Sequence, residues 1–197
     1  SEDDGQSWQM RNTGLDPDNM NVCYVKRADD GTMYVMSAVK AWKGRMNAPG
    51  TLYRSDDYGR TWKNLRPNDE AFLSPMNFAI DPENPDHILL AASTRQIWKE
   101  PSHSEGIWES TNRGETWTKI WDINCVGIDF DPDDSQHLFA SAWDRGLWES
   151  TDGGKNWVQK IDYPFSRPLG VVFDPRKNGD VYVYSFGAGL WKGTPKP

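Results

Sequence analysis

Short runs of apolar, β-branched and aromatic residues recur along the chain, separated by polar stretches rich in Gly, Pro, Asp and Asn. The clearest of these runs lie at Met33–Met36, Ile88–Ala91, Leu138–Ser141 and Val181–Tyr184. Runs of this length and composition are typical of β-strands. No useful window shows the 3.6-residue period of an amphipathic helix. The pattern therefore predicts an all-β protein built from a repeated unit.

Two further signals accompany these strands. Asp-Pro pairs precede three of them, at Asp81-Pro82, Asp131-Pro132 and Asp174-Pro175. Gly-Ile-Trp or Gly-Leu-Trp triplets follow three of them, and Leu52-Tyr53 is the equivalent in the first repeat. The triplets begin at Gly106, Gly146 and Gly189. One unit thus contains strand A, an Asp-Pro turn, strand B, a loop and strand C, followed by a turn and strand D. Units of about 40 to 50 residues with four strands predict propeller blades.

The connection after strand C carries an eight-residue phrase, Ser-x-Asp-x-Gly-x-Thr-Trp with one substitution at most, which we call the turn phrase. It occurs at Ser1–Trp8, Ser55–Trp62, Ser110–Trp117 and Ser150–Trp157. Its Asp or Asn can hydrogen-bond the backbone two residues further on. Its Gly can adopt a positive φ without steric cost, and its Trp can anchor the turn against a sheet. The phrase predicts a tight turn between two strands.

The turn phrase resembles the Asp-box, or BNR repeat, of sialidases, xyloglucan-degrading glycoside hydrolases, sortilin-type receptors and some assembly factors. The resemblance implies a β-propeller of four-stranded antiparallel blades, with the phrase between the third and fourth strands. In those families the phrase lies on the face away from the active site. We therefore expect Asp3, Asp57, Asn112 and Asp152 to be structural residues.

The repeats predict a single propeller domain or propeller segment over residues 1–197. We expect blades at about residues 21–66, 74–121 and 123–161, and a fourth at 168–193 that residues 1–12 would close. Because Ser1 already begins a turn phrase, we expect a mature, processed or truncated chain. A closed four-bladed disc is one possibility. We favour part of a larger propeller, completed by a second polypeptide or a second copy, because the resembling families have more blades.

Candidate binding residues fall on the B–C and D–A connections, which lie at the opposite end of each blade from the turn phrases. Seven of the eleven tryptophans belong to the turn phrases or to strand C. The remaining four, Trp42, Trp98, Trp121 and Trp143, map to these connections. Exposed aromatic rings suit stacking on sugar rings. The alternative is that these side chains only cover the blade core.

Three cations share one repeat position at the end of strand B, namely Lys40, Arg95 and Arg145. They could bind carboxylates, such as those of uronic acids, or sugar hydroxyls. They could equally pair with Asp69, Glu70, Asp122 and Asp144 in the same loops. The first two B–C loops are about ten residues longer than the others. These long loops predict the wall of a cleft, and the alternative is that they are loops without a function.

The best candidate catalytic pair within the chain is Asp129 and Asp144. Asp129 occupies an inner-strand position where other repeats have Ala79 and Val172. A charge in such a position needs a partner or a purpose, because burying it alone is costly. Asp144 lies between Trp143 and a cation. A glycosidase needs two carboxyl groups flanking the scissile bond.

Composition excludes several classes of protein. The 197-residue chain has a net charge of −7 and a pI near 5.0, which argues against nucleic-acid binding. No apolar run approaches the roughly 20 residues of a membrane span. Cys23 and Cys125 are expected to be buried free thiols, with a disulfide between them as the alternative. Three histidines are too few for a convincing zinc site, so we expect no cofactor. Turn chemistry explains the acidic residues 131–134, with calcium binding as the alternative.

The sequence of residues 146–157, GLWESTDGGKNW, most closely resembles the xyloglucanase-like branch of the Asp-box propellers. This resemblance implies a secreted or cell-envelope glycoside hydrolase acting on a polysaccharide. Sialidases are less similar, because the chain lacks their Phe/Tyr-Arg-Ile-Pro phrase. Catalytic carboxylates of xyloglucanases lie between two propellers, so none can be carried over to this chain. The alternative is a non-catalytic propeller that binds glycan or protein.

Overall fold

The computed structural model describes residues 1, 3–67, 71–97, 104–165, 167–176 and 179–194. Within these ranges the chain is built from antiparallel strands, with one turn of 3-10 helix at Thr94–Gln96 and no α-helix. None of the described segments forms a helix long and apolar enough to cross a membrane.

The first repeat forms a four-stranded sheet and a separate hairpin. Its strands are β1 (Val22–Arg27), β2 (Met33–Ser37), β3 (Lys40–Trp42), β4 (Arg45–Ala48), β5 (Thr51–Ser55) and β6 (Lys63–Asn64). The sheet has the order β1-β2-β5-β6, and β3 pairs only with β4. The first long B–C loop is therefore a β-hairpin.

The second and third repeats form sheets with the same order of strands. The second sheet contains β7 (Pro75–Ile80), β8 (Ile88–Ala92), β9 (Gly106–Ser110) and β10 (Thr118–Trp121). The third contains β11 (Cys125–Asp131), β12 (Asp134–Ala142), β13 (Gly146–Ser150) and β14 (Val158–Gln159). The fourth contains β15 (Pro168–Phe173), β16 (Val181–Ser185) and β17 (Gly189–Gly193). The predicted all-β architecture of four-stranded antiparallel blades is confirmed.

The core lies between adjacent sheets. Tyr34 and Leu52 of the first sheet pack with Phe78 and Leu90 of the second. Equivalent apolar clusters join the second sheet to the third and the third to the fourth. The second strands β2 and β12 are consequently buried along most of their length, and all five residues of β8 are buried. This explains why these strands are nearly continuous apolar runs rather than alternating ones. In the fourth sheet β16 is buried only at alternate positions.

The turn phrase forms the connection between the third and fourth strands of the first three sheets. Ser55 Oγ accepts a hydrogen bond of 2.8 Å from the N–H of Gly59, and Asp57 Oδ1 accepts one of 2.9 Å from the N–H of Thr61. The later copies repeat this geometry. Gly59 has φ +77°, a conformation that favours glycine. The predicted tight turn is present, and its polar groups are occupied within the turn.

The amino-terminal segment differs from the predicted closure of the fourth blade. None of residues 1 and 3–12 lies in a strand, and the fourth sheet has three strands among the described residues. Instead, the carbonyls of Arg11 and Thr13 each accept a 2.8 Å hydrogen bond from Trp62, one from its indole and one from its backbone N–H. Gly14 permits this approach, since a Cβ there would lie 2.0 Å from the carbonyl oxygen of Trp62. Residues 11–14 therefore pack on the first sheet.

Both cysteines are free thiols. Cys125 is buried as expected, whereas Cys23 is exposed. The prediction of burial is thus wrong for Cys23, because β1 presents most of its residues to solvent.

Candidate functional site

The end of the sheets that carries the turn phrases, which we call the turn face, is occupied by structural polar networks. His137 Nδ1 lies 2.9 Å from Asp131 Oδ2, and its Nε2 lies 3.0 Å from Glu149 Oε1. His87 has the same two kinds of neighbour, Asp81 and Glu109. Repetition of one network in successive sheets indicates a role in the fold. It also explains why the histidines follow the Asp-Pro pairs at constant spacing.

The opposite end, which we call the loop face, holds a cavity of about 750 Å³ to which all four repeats contribute. We call it the four-sheet cavity. Its lining consists of Ala41, Lys43, Gly44, Thr94, Arg95, Asn124, Trp143 and Phe186. Among the described residues, the ionisable side chains in this lining are two cations, Lys43 and Arg95. The described lining is therefore positively charged, in a chain of net charge −7.

Arg95 is held against the indole of Trp143, with Cζ 4.6 Å from the ring centroid. The 3-10 turn positions Arg95, because Ser93 Oγ caps this turn by accepting the N–H of Arg95. The Arg95 residue is half-buried. Within the described part of the chain its guanidinium has no hydrogen-bond acceptor and no carboxylate within 4.0 Å. Its donors therefore have no assigned partner in this cavity.

Trp143 forms the wall between the four-sheet cavity and a second cavity. Arg167 lies 5.6 Å from its ring centroid, and the ring of Phe186 lies at 6.3 Å. Arg167 Nε donates a 2.7 Å hydrogen bond to Asp144 Oδ1, so this guanidinium is paired. Of the two arginines beside Trp143, Arg95 is the one without an acceptor in the described residues.

The second cavity, which we call the side cavity, measures about 430 Å³ and lies between the second and third sheets. Its lining is aromatic and acidic: Glu105, Trp121, Asp122, Ile123, Asn124, Trp143, Asp144, Arg145 and Trp148. Each carboxylate has a partner, since Asp122 pairs with Lys119 and Glu105 accepts the hydroxyl of Thr94. The side cavity therefore combines indole surface with paired carboxylates.

The predicted aromatic residues have different positions. Trp121 stacks on Trp157, with ring centroids 5.0 Å apart, so it covers the blade core and also lines the side cavity. Trp42 is 71% exposed at the end of β3. Trp98 lies outside the described residues. Trp143 and Trp121 are thus brought together at the side cavity, and Trp42 stands apart on the hairpin.

The hydrogen bonds of the indole N–H groups distinguish the tryptophans of the repeat core from the others. Six donate to backbone carbonyls: Trp62, Trp108, Trp117, Trp148, Trp157 and Trp191. In the described structure four have no acceptor: Trp8, Trp42, Trp121 and Trp143. Three of these four are tryptophans that the repeat pattern leaves unexplained, and all three lie on the loop face.

The three predicted cations do not converge. Arg95 lines the four-sheet cavity, Arg145 lines the side cavity, and Lys40 Nζ donates to the carbonyl of Asp18 at 3.2 Å. The alternative of internal ion pairing holds for none of the three within the described ranges. Asp69 and Glu70 fall outside those ranges.

Asp129 and Asp144 are not brought together. In the β11–β12 register Asp129 lies opposite Phe139. Phe139 precedes Asp144 by five residues, which corresponds to about 16 Å along an extended strand. Asp129 Oδ1 lies 3.8 Å from Lys26 Nζ in β1, and its Oδ2 accepts the N–H of Phe173. Burial raises the pKa of Asp129. A separation of this order exceeds the roughly 5 to 9.5 Å between the two carboxyl groups of glycosidases, so the geometry gives no support to the pair, whose catalytic role stays a prediction.

The four-sheet cavity is also lined by Lys43, Asn124 and Phe186, which were not among the predicted binding residues. Phe186 follows the end of strand B at the repeat position of Trp143, so the repeat alignment contained this signal. Lys43 follows Trp42 directly. Asn124 lies between strands D and A and carries no pattern of its own.

The described residues hold no cluster of three or more His, Cys, Asp or Glu side chains placed to bind a metal ion. In the acidic turn, Asp131 Oδ1 accepts the N–H of Asp133 and Oδ2 lies beside His137. Turn chemistry therefore occupies this carboxylate.

The fold and its loop-face site define a β-propeller protein. The family model Sortilin-Vps10, described as Sortilin, neurotensin receptor 3, matches residues 1–122. The chain belongs to this family. No curated protein matches the chain.

Solved structures with this fold include two GH74 proteins. The Niastella koreensis GH74 enzyme is 21% identical in sequence, with a TM-score of 0.66. The match covers 92% of this chain and 29% of that enzyme. The GH74 xyloglucanase from Xanthomonas campestris is 20% identical, with a TM-score of 0.64 over 90% and 29%. YCF48 bound to D1 peptide is 12% identical, with a TM-score of 0.59 over 88% and 51%. The chain thus spans less than a third of either GH74 protein.

Proposed function

We propose that this chain is part of a carbohydrate-active β-propeller whose glycan lies on the loop face, across the side cavity and the four-sheet cavity. The observation that carries the proposal is the position of the tryptophans with unassigned indole N–H groups. Trp121 and Trp143 both line the side cavity. The turn phrase is proposed to be the Asp-box turn, because its Ser and Asp oxygens accept hydrogen bonds within the phrase.

The side cavity has the chemistry that sugar binding requires. Indole faces pack against the C–H faces of sugar rings, while carboxylates and guanidinium groups hydrogen-bond the hydroxyls. Trp143, Asp144 and Arg145 offer these groups within one sequence of three residues. Loops on a rigid sheet scaffold are also where binding residues are usually found.

The activity we favour for the whole protein is hydrolysis of a polysaccharide by a secreted or cell-envelope glycoside hydrolase. The GH74 structures support this by fold, and one of them is a xyloglucanase. We assign no catalytic pair, because Glu105, Asp122 and Asp144 all have partners and Asp129 lies elsewhere. In this proposal the chain supplies the binding surface, and a second polypeptide or copy completes the propeller.

The alternative function is non-catalytic binding of glycan or protein. It is favoured by the separation of Asp129 from Asp144 in the described structure. Such a function also has a precedent in the fold, since one structural neighbour is YCF48 bound to D1 peptide. Release of reducing ends distinguishes the two functions.

The test is to measure binding and hydrolysis of a panel of neutral and acidic polysaccharides. Affinity electrophoresis would report binding, and a reducing-end assay would report cleavage. The Trp143→Ala variant should lose retention on the bound polysaccharide. The matched control is Trp8→Ala, an exposed tryptophan within a turn phrase, which should retain it. Binding without cleavage would favour the alternative function. Failure of the folded wild-type chain to bind any polysaccharide would contradict the carbohydrate proposal.

A further inference from the structure

We propose that the glycan carries carboxylate groups, as a uronate-containing polysaccharide does, and that Arg95 and Lys43 bind one such group in the four-sheet cavity. This inference rests on the proposed function, because it names the class of glycan for the same loop face. It is carried by the contacts of Arg95, by the charge of the cavity lining and by the unpartnered Asn124 side chain.

Arg95 has the position and the available donors of a carboxylate-binding residue. Its guanidinium packs at 4.6 Å from the Trp143 centroid, which orients its planar group. Its half-buried side chain has no acceptor in the part of the chain that the structure describes. A guanidinium can bind a carboxylate through two parallel N–H···O hydrogen bonds. A ligand carboxylate in the cavity would use donors that the described protein groups leave unused.

The charges of the two cavities are separated by Trp143. The four-sheet cavity is lined by Lys43 and Arg95 and by no carboxylate among the described residues, whereas the side cavity is lined by Glu105, Asp122 and Asp144. An anionic group is therefore attracted to the first cavity, whereas the second offers no unpaired cation except Arg145 among its described residues. Neutral hydroxyls suit the second. A glycan with both kinds of group matches the two cavities in one orientation.

Lys43 supplies the second positive charge from another wall. It lies in the turn between β3 and β4, with φ +48°. Its Nζ is 5.9 Å from the ring centroid of Trp42, at the outer limit of a cation–π contact. A flexible ammonium group here can approach a bound anion opposite Arg95 without losing a described ion pair.

Asn124 provides an independent sign of a polar ligand. Its Oδ1 is buried and has no hydrogen-bond partner among the described residues. A buried acceptor without a donor destabilises the structure. Asn124 lines both cavities, so rotation of its amide group would bring Oδ1 to the hydroxyl of a sugar bound beside Trp143.

The experiment compares uronate polymers with their carboxyl-reduced counterparts, which keep the linkages and lose the charge. Isothermal titration calorimetry with oligomers of polygalacturonate and of alginate would give the affinities for the wild-type chain. We expect carboxyl reduction to weaken binding of at least one of them by about tenfold or more. The preference should shrink as ionic strength rises, because salt screens charge attraction.

Variants assign the effect to the cavity. Arg95→Gln keeps a polar side chain and removes the charge, so it should abolish the preference for the carboxylated oligomer. Lys43→Gln should reduce the preference. Arg60→Gln is the matched control, since Arg60 is exposed within a turn phrase, and it should leave the preference unchanged. Near-ultraviolet circular dichroism of the tryptophans verifies that each variant is folded.

The outcomes separate this inference from the proposed function. Equal or weaker binding of both uronate oligomers relative to their reduced forms would overturn the inference. Binding of neutral polysaccharides in the same assay would then leave the proposed function standing. A carboxylate preference that Arg95→Gln does not change would overturn the assignment to this cavity. Absence of binding to every polysaccharide would overturn both.

Discussion

At the scale of single residues, the aspartates of the turn phrase act as hydrogen-bond acceptors. Hydrogen bonds from the backbone N–H and the hydroxyl of Thr61 lower the pKa of Asp57 to about 2. In the fourth copy the side chain and backbone of Asn156 lower the pKa of Asp152 to about 2. The third copy has Asn112 instead, which keeps the fold of the turn by donating to Thr116 Oγ1 at 2.9 Å. An amide can thus replace the carboxylate without changing the turn.

These lowered pKa values predict an acid sensitivity of the fold. A carboxyl group with a folded-state pKa below its unfolded value of about 4 stabilises the fold above that pH, and the contribution is lost as pH falls towards 2. Asp57→Asn and Asp152→Asn should therefore flatten the decline in urea-unfolding free energy between about pH 4 and pH 2. The reciprocal variant Asn112→Asp should steepen it. Identical pH profiles for all four proteins would contradict the assignment.

The two cysteines should differ in reactivity. Burial raises the pKa of Cys125 to about 12, and the thiolate is the reactive form of cysteine. We expect Ellman's reagent to label Cys23 in the native protein and to label Cys125 only after unfolding. The Cys23 residue is exposed, but its Sγ is partly buried and donates to the carbonyl of Met36 at 3.4 Å. Desolvation of this sulfur raises the pKa of Cys23, so its labelling rate should keep rising with pH above the ordinary range of a thiol. Equal labelling rates for both cysteines in the native state would contradict the structure.

At the scale of elements, the turn phrases of the second and third sheets pack on the sheet that precedes them. The indole of Trp117 donates a 2.9 Å hydrogen bond to the carbonyl of Leu65, and Gly114 lies against the Leu65 side chain. The phrase is therefore an inter-sheet contact as well as a turn. Sequence chemistry predicts the turn from its Ser, Asp and Gly. It does not predict the contact, because nothing in residues 110–117 indicates which sheet lies beneath them.

This contact predicts a difference between two glycines with similar φ. A Cβ at Gly114, φ +85°, would lie 2.6 Å from Leu65 Cδ1, whereas one at Gly179, φ +71°, would meet nothing within 4 Å. Gly179→Ala should cost only backbone strain, about 1–2 kcal/mol. Gly114→Ala should cost about 1–3 kcal/mol more, because the buried Leu65 must move. Chemical denaturation measures both values. Equal losses would show that the turn does not press on the preceding sheet.

The sequence pattern of the first repeat does not predict the β3–β4 hairpin. Its sequence, Lys40 to Ala48, has few β-branched residues, so the pattern indicates only a long loop. The hairpin pairs through its backbone, and it brings Lys43 to the wall of the four-sheet cavity. A cavity lined by four repeats depends on how the loops meet in space, which spacing along the chain does not specify.

At the scale of the whole molecule, apolar clusters join adjacent sheets, and an ion pair between described residues connects the first sheet to the third. Lys26 of the first sheet lies beside Asp129 of the third. Sequence analysis correctly singles out Asp129 as a charge in an apolar position, and its partner turns out to be a lysine about one hundred residues away. The sequence shows a charged residue at an apolar position. Its partner Lys26 can be identified only from the way the sheets are arranged.

The ion pair predicts non-additive effects. Lys26→Met leaves the carboxylate of Asp129 without its cation and should destabilise the chain by about 1–2 kcal/mol, a value reduced from that of fully buried pairs because both groups are partly exposed. Adding Asp129→Asn should recover part of this loss, since the uncompensated charge is removed. A double-mutant cycle from urea denaturation gives the coupling. Zero coupling would contradict the contact.

The most direct test of the account is a titration followed through the eleven indole N–H signals in a nitrogen–proton correlation spectrum. Single Trp→Phe variants would assign the signals, and oligosaccharides that bind in affinity electrophoresis would serve as ligands. We predict that the signals of Trp143 and Trp121 shift on binding, while those of the turn-phrase residues Trp62 and Trp117 stay in place. Shifts confined to the turn-phrase tryptophans would place the ligand on the turn face and contradict the central claim that the loop face binds the glycan.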